Sequence, residues 1–249
     1  MSSAAAVTAV IAAAGSGERL GAGSPKAFVP LAGRPMVAWS LEAFAACDRV
    51  QAVVVAVPPE VLAEAGESSS RLPDIRQAGP ADGSTAVIAG GVTRAESVSN
   101  ALAVVETEIV AIHDAARPLV TAQLIEGLIG RLEEAPEADA VIPAEPITNT
   151  VKRASEKSMR QLSTNTVSNC RIVSETLDRS ELWGAQTPQV FRTQALREAL
   201  ASDLEATDEA MLIERAGGTV LIHPSGPENL KVTTPLDLKI AELLLTERG

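Results

Sequence analysis

Six short runs of small and β-branched apolar residues recur along the chain: Val7–Ala13, Ala52–Val57, Thr85–Ala89, Ile109–His113, Ala138–Pro143 and Thr219–His223. Runs this short and this continuously apolar suit strands covered on both faces, as in a parallel sheet. Amphipathic helical patterns fill the intervals. After Pro35, a favoured first helical residue, Val37, Leu41, Phe44 and Ala45 share a face. Thr93 and Glu96 form a capping-box pattern ahead of Val98, Ala101, Leu102 and Val105, and Thr121 precedes Leu124, Leu128 and Leu132. Thr234, Pro235 and Asp237 open a last helix predicted to turn Leu236, Ile240, Leu243 and Leu244 inward. Strands alternating with helices restrict the chain to an α/β sheet with right-handed crossovers.

Two segments break the alternation. Gly66–Gly83 is rich in Ser, Gly and Pro and reads as a surface loop. Ile147–Trp183 is polar and has no helical face; too little sequence follows it for a second core, so it reads as a protruding arm or long hairpin. The expectation is one domain over residues 1–249, with an arm at about 147–184.

Composition removes several function classes. Aromatic residues are 2% of the chain, too few for a base-stacking platform, and a net charge of −11 with no dense basic run argues against nucleic acid as a partner. Two cysteines and two histidines exclude a disulfide framework and a structural zinc site. The apolar run Ala4–Ala14 has no basic residue before it and is too short to span a bilayer, so it reads as a buried strand of a cytoplasmic protein with no membrane partner. An anionic substrate would then need positive charge placed locally.

Such charge follows the first strand. Ala14-Gly15-Ser16-Gly17-Glu18-Arg19-Leu20-Gly21 leads to Pro25-Lys26, at the edge where doubly wound sheets bind ligands. A dinucleotide fingerprint fails here because Leu20 stands at its third glycine and no acidic residue ends the second strand. A Walker loop fails for want of Gly-Lys-Ser/Thr. A glycine loop carrying its own cations, Arg19 and Lys26, would suit a triphosphate; a plain strand–turn–helix junction is the alternative. The run Ile109–His113 ends in Asp114-Ala115-Ala116-Arg117-Pro118. One carboxylate with substrate phosphates is a usual way to hold Mg²⁺, and Arg117 would orient Asp114 or reach a phosphate; Asp114 as a helix cap is the alternative. His113 is expected to point into packing. Gly90-Gly91-Val92-Thr93-Arg94-Ala95-Glu96-Ser97 leads into a helix start, either an anion or base-edge site or a plain turn and cap. Thr187-Pro188-Gln189 and Asn229–Thr233 are by themselves an ordinary loop or short strand.

In order along the chain, these motifs resemble the 2-C-methyl-D-erythritol 4-phosphate cytidylyltransferase family. The resemblance also takes in Thr150-Val151-Lys152, Asp178-Arg179, Leu182-Trp183, Gln186-Thr187-Pro188-Gln189, Thr207-Asp208-Glu209-Ala210 and Asn229-Leu230-Lys231-Val232-Thr233. It implies a single Rossmann-like domain, a mostly parallel sheet flanked by helices, with a protruding β-arm that interlocks a homodimer. It implies transfer of the cytidylyl group of CTP to methylerythritol phosphate with release of pyrophosphate. By motif position, Arg19, Lys26 and Lys231 would be the catalytic cations and Asp114 would hold Mg²⁺. Ala13, Ala14, Gly15 and Gly17 would contact the triphosphate and ribose, and Gly90, Arg94 and Ser97 the cytosine side. Thr150, Arg179, Thr187 and Arg117 would hold the methylerythritol phosphate, with Thr150 and Arg179 reaching in from the partner's arm.

The arm between Arg153 and Ile172 is longer than many relatives carry, by roughly ten residues. Glu18 stands where relatives often have a neutral or basic residue, and it softens the potential beside Arg19. Three other activities compete. A ribitol-5-phosphate cytidylyltransferase would share the loop and the Asp-Ala-Ala-Arg-Pro motif. A non-catalytic CTP sensor would have no need of transition-state cations. An NAD-dependent oxidoreductase fails on the broken fingerprint.

Overall fold

The computed structural model describes residues 5–15, 25–64, 85–158, 171–202 and 206–248. The elements, in chain order, are β1 (Val7–Ala12), β2 (Pro30–Leu31), β3 (Arg34–Pro35), α1 (Met36–Ala45), β4 (Val50–Val57), α2 (Pro59–Glu64), β5 (Thr85–Ala89) and α3 (Arg94–Leu102). They continue with β6 (Ile109–Asp114), α4 (Ala122–Glu134), β7 (Ala140–Pro146), β8 (Lys152–Ser158), β9 (Arg171–Thr176), β10 (Trp183–Ala185) and β11 (Gln189–Arg192). The last are α5 (Thr193–Leu200), α6 (Glu209–Arg215), β12 (Val220–Pro224) and α7 (Pro235–Arg248).

Each of the six apolar runs forms a strand of one sheet of eight. β1 lies between β4 and β6, parallel to both, and β5 extends the sheet parallel to β4. β12 pairs parallel with β7. β11 runs antiparallel between β6 and β7, and β10 pairs antiparallel with β7 beyond it. The sheet is thus mixed, mostly parallel and flanked by helices. Successive strand residues take opposite faces. Ile11, Val55 and Ala111 pack with Leu41 and Phe44 of α1 and Leu128 of α4. Val10, Val54 and Ile112 pack on the other side with Val98 of α3, Leu196 of α5 and Ile213 of α6.

The starts of α3 and α4 are as read from the sequence, whereas Pro35 stands one residue before α1, which begins at Met36. Thr93 and Glu96 make the full reciprocal capping box of α3, and the Thr121 side chain accepts the Leu124 N–H at the start of α4. α7 departs from expectation in part: Leu244 packs inward as expected, but Leu236, Ile240 and Leu243 are 65%, 40% and 60% exposed, while Ala241 and Leu245 are buried on Leu31, Met36 and Val232. Apolar residues lie all round this helix, so the pattern does not single out a face. One side of the helix packs on the β2–β3 turn, Met36, Leu119 and Val232.

In the polar segment, β8 and β9 pair with each other as a separate two-stranded antiparallel sheet. The loop read at Gly66–Gly83 falls outside the described residues, as do Cys170 and much of the connection between β8 and β9. Among the described residues no helix is long and apolar enough to cross a membrane.

Candidate active site

β1, β5 and β6 are mutually parallel or linked through β4, so they end at one edge of the sheet. There a cleft of about 500 Å³ is lined by Ala13, Ala14 and Gly15 after β1, Arg94 and Ser97 of α3, Lys26, Asp114 and Lys231. Sequence reading singled out all eight. Gly17 and Arg19 lie outside the described residues.

The loops on either side of this cleft touch, which dictates one glycine. A Cβ on Gly90 would stand 2.5 Å from Ala14 Cβ and 3.0 Å from Ser97 Oγ, far inside van der Waals contact. Ser97 shapes the same loop: its Oγ accepts the Gly91 N–H at 3.0 Å and donates to the Thr93 carbonyl at 2.9 Å. The capping box takes the N–H groups of Val92, Thr93 and Glu96. The α3 start therefore offers the cleft chiefly the Arg94 side chain.

Asp114, the last residue of β6, carries the charge of the site. Its Oδ1 accepts from Arg94 Nε at 2.8 Å and its Oδ2 from Lys231 Nζ at 2.6 Å. Burial alone would raise its pKa, but Arg94 and Lys231 together outweigh it and hold the carboxyl well below its usual range. Asp114 is therefore ionised in a nearly dry position. Asp114 does not cap a helix; that is the work of Thr121 at the next one. On its other side Arg94 Nη1 donates to both oxygens of Glu209, at 2.7 and 2.6 Å, and Glu209 is 2% exposed.

Beneath Asp114 lies a buried polar floor. His113 Nε2 lies 3.2 Å from both the Ser40 hydroxyl and the Arg117 carbonyl. His113 Nδ1 shares a hydrogen bond with the Thr187 hydroxyl at 3.2 Å. Thr187 Oγ1 in turn accepts the Asp114 backbone N–H at 3.1 Å. Burial lowers the His113 pKa to about 3, with Asp114 pulling the other way, so the ring is neutral. His113 sits in packing as read. Thr187, expected at the acceptor phosphate, is buried here and supports Asp114 by accepting that residue's backbone N–H.

Arg117 also differs from expectation. It does not line the cleft; Nη1 donates to the Asn229 carbonyl at 2.6 Å and Nη2 to the Ala185 carbonyl at 3.4 Å. With the Asn229 amide, which donates to Gln186 Oε1 and the Thr187 carbonyl, it fastens the segment bearing Lys231 to the one bearing Thr187. Thr150 and Arg179 lie beside the β8–β9 hairpin, both exposed, where Arg179 donates to the Thr148 carbonyl; neither lines this cleft.

Sequence reasoning gave no role to Glu209, Gln186 or Asn229. Glu209 follows the helix cap Asp208, where an acidic residue ordinarily faces solvent and complements the helix dipole, so no local signal marks it as buried.

Among the described residues no group of three or more His, Cys, Asp or Glu could hold a metal. A lone ionised carboxylate in a cleft that also carries lysine and arginine nevertheless fits Mg²⁺, which takes one or two carboxylates and fills its shell with phosphate oxygens and water. Each Asp114 oxygen keeps a second lone pair for it.

The profile of the family described as 2-C-methyl-D-erythritol 4-phosphate cytidylyltransferase, IspD, matches residues 7–247. A protein of that name in Symbiobacterium thermophilum is 37% identical, with 98% of this chain and 94% of the relative covered. Another in Parasynechococcus marenigrum is 39% identical, covering 96% of this chain and 97% of the relative. The crystal structure of 2-C-methyl-D-erythritol 4-phosphate cytidylyltransferase from Thermus thermophilus superposes with a TM-score of 0.70 at 29% identity, covering 97% of this chain and 99% of that one.

Proposed function

The chain belongs to the 2-C-methyl-D-erythritol 4-phosphate cytidylyltransferase family, and we propose that its cleft transfers the cytidylyl group of CTP to 2-C-methyl-D-erythritol 4-phosphate in isoprenoid precursor synthesis. The observation that carries this reading is the ionised Asp114 held between Arg94 and Lys231, with Lys26 lining the same cleft.

A phosphate oxygen of the acceptor attacks the α-phosphorus of CTP. The bond from that phosphorus to the bridging oxygen breaks, and pyrophosphate leaves with the electron pair. The attacking oxygen is already ionised, so no general base is required. The difficulty is anion meeting anion. Lys26 and Lys231, which line the cleft, would offset the charge that builds on the α-phosphoryl oxygens, and Arg19 would join them by motif position. In a dry, preorganised site each such contact is worth about 3–4 kcal/mol. Ala13, Ala14 and Gly15 bring backbone close to the nucleotide, and Gly90 and Ser97 set the loop facing its base. Asp114 would hold Mg²⁺, which when bound neutralises phosphate charge. Lys231, 43% exposed at its side chain, is the partner free to move from Asp114 to a phosphate.

Among the described residues, none from 147 to 184 lines the chain's own cleft. This supports a homodimer in which the hairpin reaches across, so that the cleft receives Thr150 and Arg179 of the partner subunit. A cytoplasmic location accords with CTP as the donor.

Pyrophosphate release tests the reading, with CTP and Mg²⁺ and either 2-C-methyl-D-erythritol 4-phosphate or ribitol 5-phosphate as acceptor. Release with the first alone is expected. Release only with the second would overturn the acceptor and keep the chemistry; silence with both despite CTP binding would leave a nucleotide sensor.

A further inference from the structure

The Arg94 guanidinium is divided unequally between two carboxylates. Nη1 serves both oxygens of buried Glu209, whereas Asp114 receives one bond, from Nε to Oδ1. Left to itself, a guanidinium prefers to grip one carboxylate with two parallel N–H bonds, and the Nε–Nη2 edge facing Asp114 is built for that grip. Such a fork would occupy both oxygens of Asp114. We propose that Glu209 is a positioning residue: by anchoring Nη1 it restricts Arg94 to Oδ1 and leaves Oδ2 of Asp114 exchangeable between Lys231 and a divalent cation delivered with a nucleoside triphosphate. The inference rests on the nucleotidyl-transfer reading for the identity of the ligand. Its geometry is independent of the acceptor.

Glu209 suits this task. It is the first residue of α6, capped by Asp208, whose side chain accepts both the Met211 N–H and the Gln189 amide. The carboxylate is thereby fixed relative to β11 and, through the sheet, to β6 and Asp114. At 2% exposure it has no water to turn to, so Arg94 is its charge partner whatever binds in the cleft.

Glu209→Gln keeps the volume and removes the charge that anchors Nη1. CTP binding is measured by calorimetry with and without Mg²⁺, alongside the Mg²⁺ dependence of pyrophosphate release. Metal-free CTP affinity should stay within about twofold of wild type, while half-saturating Mg²⁺ rises about tenfold or more, the usual cost of losing a partner behind a metal ligand. In an Arg94→Lys background, where no fork is available, Glu209→Gln should add less than about twofold. A half-saturating Mg²⁺ unchanged by Glu209→Gln, or an undiminished shift in the Arg94→Lys background, would overturn the proposal. Should Glu209→Gln fail to fold, Glu209→Asp keeps the charge at shorter reach and should give a smaller shift of the same sign; no shift would overturn the proposal equally. Wild-type protein that shows Mg²⁺-dependent CTP binding but transfers to no acceptor would sink the functional reading alone. Wild-type CTP binding indifferent to Mg²⁺ would sink this one.

Discussion

Asp114 keeps its charge where water hardly reaches because a cation stands against each of its oxygens, so the same contacts that hold it in place decide what it can bind. Lys26 is a different case, since its proposed effect is confined to the reacting phosphate. Lys26→Ala should lower kcat by about a hundredfold or more while the Kd for CTP rises only a few-fold, because an interaction made chiefly in the transition state is lost from turnover and not from binding. Single-turnover rates beside equilibrium titration would separate the two; equal losses would make Lys26 a plain binding residue. Gly90 tests shape without charge. Gly90→Ala drives a methyl onto Ala14 and Ser97 at distances the loops cannot keep, and should destabilise the fold by about 1–3 kcal/mol. Weaker CTP binding should accompany the loss in a thermal melt, since the displaced loop is the one facing the nucleotide.

Elements deliver these residues, and they were unevenly legible. Capping signals were local and reliable: Thr93 with Glu96, Thr121 and Asp237 all do what their spacing predicts. β11 was not, because four residues after a turn carry no periodicity; its Val190 and Phe191 are nevertheless fully buried between β6 and β7. The exposed face of α7 was misread because tertiary packing, not sequence period, chose Ala241 and Leu245. The start of that helix has a consequence for the site. Asp237 Oδ2 accepts from the N–H of Thr233 and of Thr234 and from the Thr233 hydroxyl, each at 2.7 Å, tying the helix to the segment that ends two residues after Lys231. Asp237→Ala should cost about 1 kcal/mol of stability, as for a lost helix cap. It should also raise the KM for CTP several-fold with little change in KM for the acceptor. A KM for CTP that stays put while the melting temperature falls would show that the cap does not govern Lys231.

At the scale of the molecule the site is a product of topology. Parallel strands bring Ala13, Gly90 and Asp114 to one edge, and that much could be read from apolar runs ending in glycine or acid. The second half of the cleft could not, because its contacts join residues far apart in the chain: Arg94 to Glu209, Asp114 to Lys231, Arg117 to Asn229. No local pattern encodes such pairs. They share a buried floor with the core, so the site and the fold should fail together in acid. His113 is buried neutral, its pKa lowered from 6.5 to about 3 by loss of solvent against the pull of Asp114. Between those values the unfolded chain binds a proton that the folded protein does not. The stability linked to His113 is thus full above pH 6.5 and drains as pH falls towards 3, at up to about 1.4 kcal/mol per pH unit. Asp114, lowered from 3.8 by Arg94 and Lys231, adds a loss of the same sign below that value. The urea midpoint should therefore drop steadily from pH 6.5 to 4, and CTP binding should be lost along the same curve. His113→Gln keeps one donor and one acceptor among Ser40, the Arg117 carbonyl and Thr187, but it cannot titrate, so its midpoint should be nearly flat over that range. A His113→Gln protein with the wild-type slope would place the acid sensitivity somewhere other than beneath Asp114.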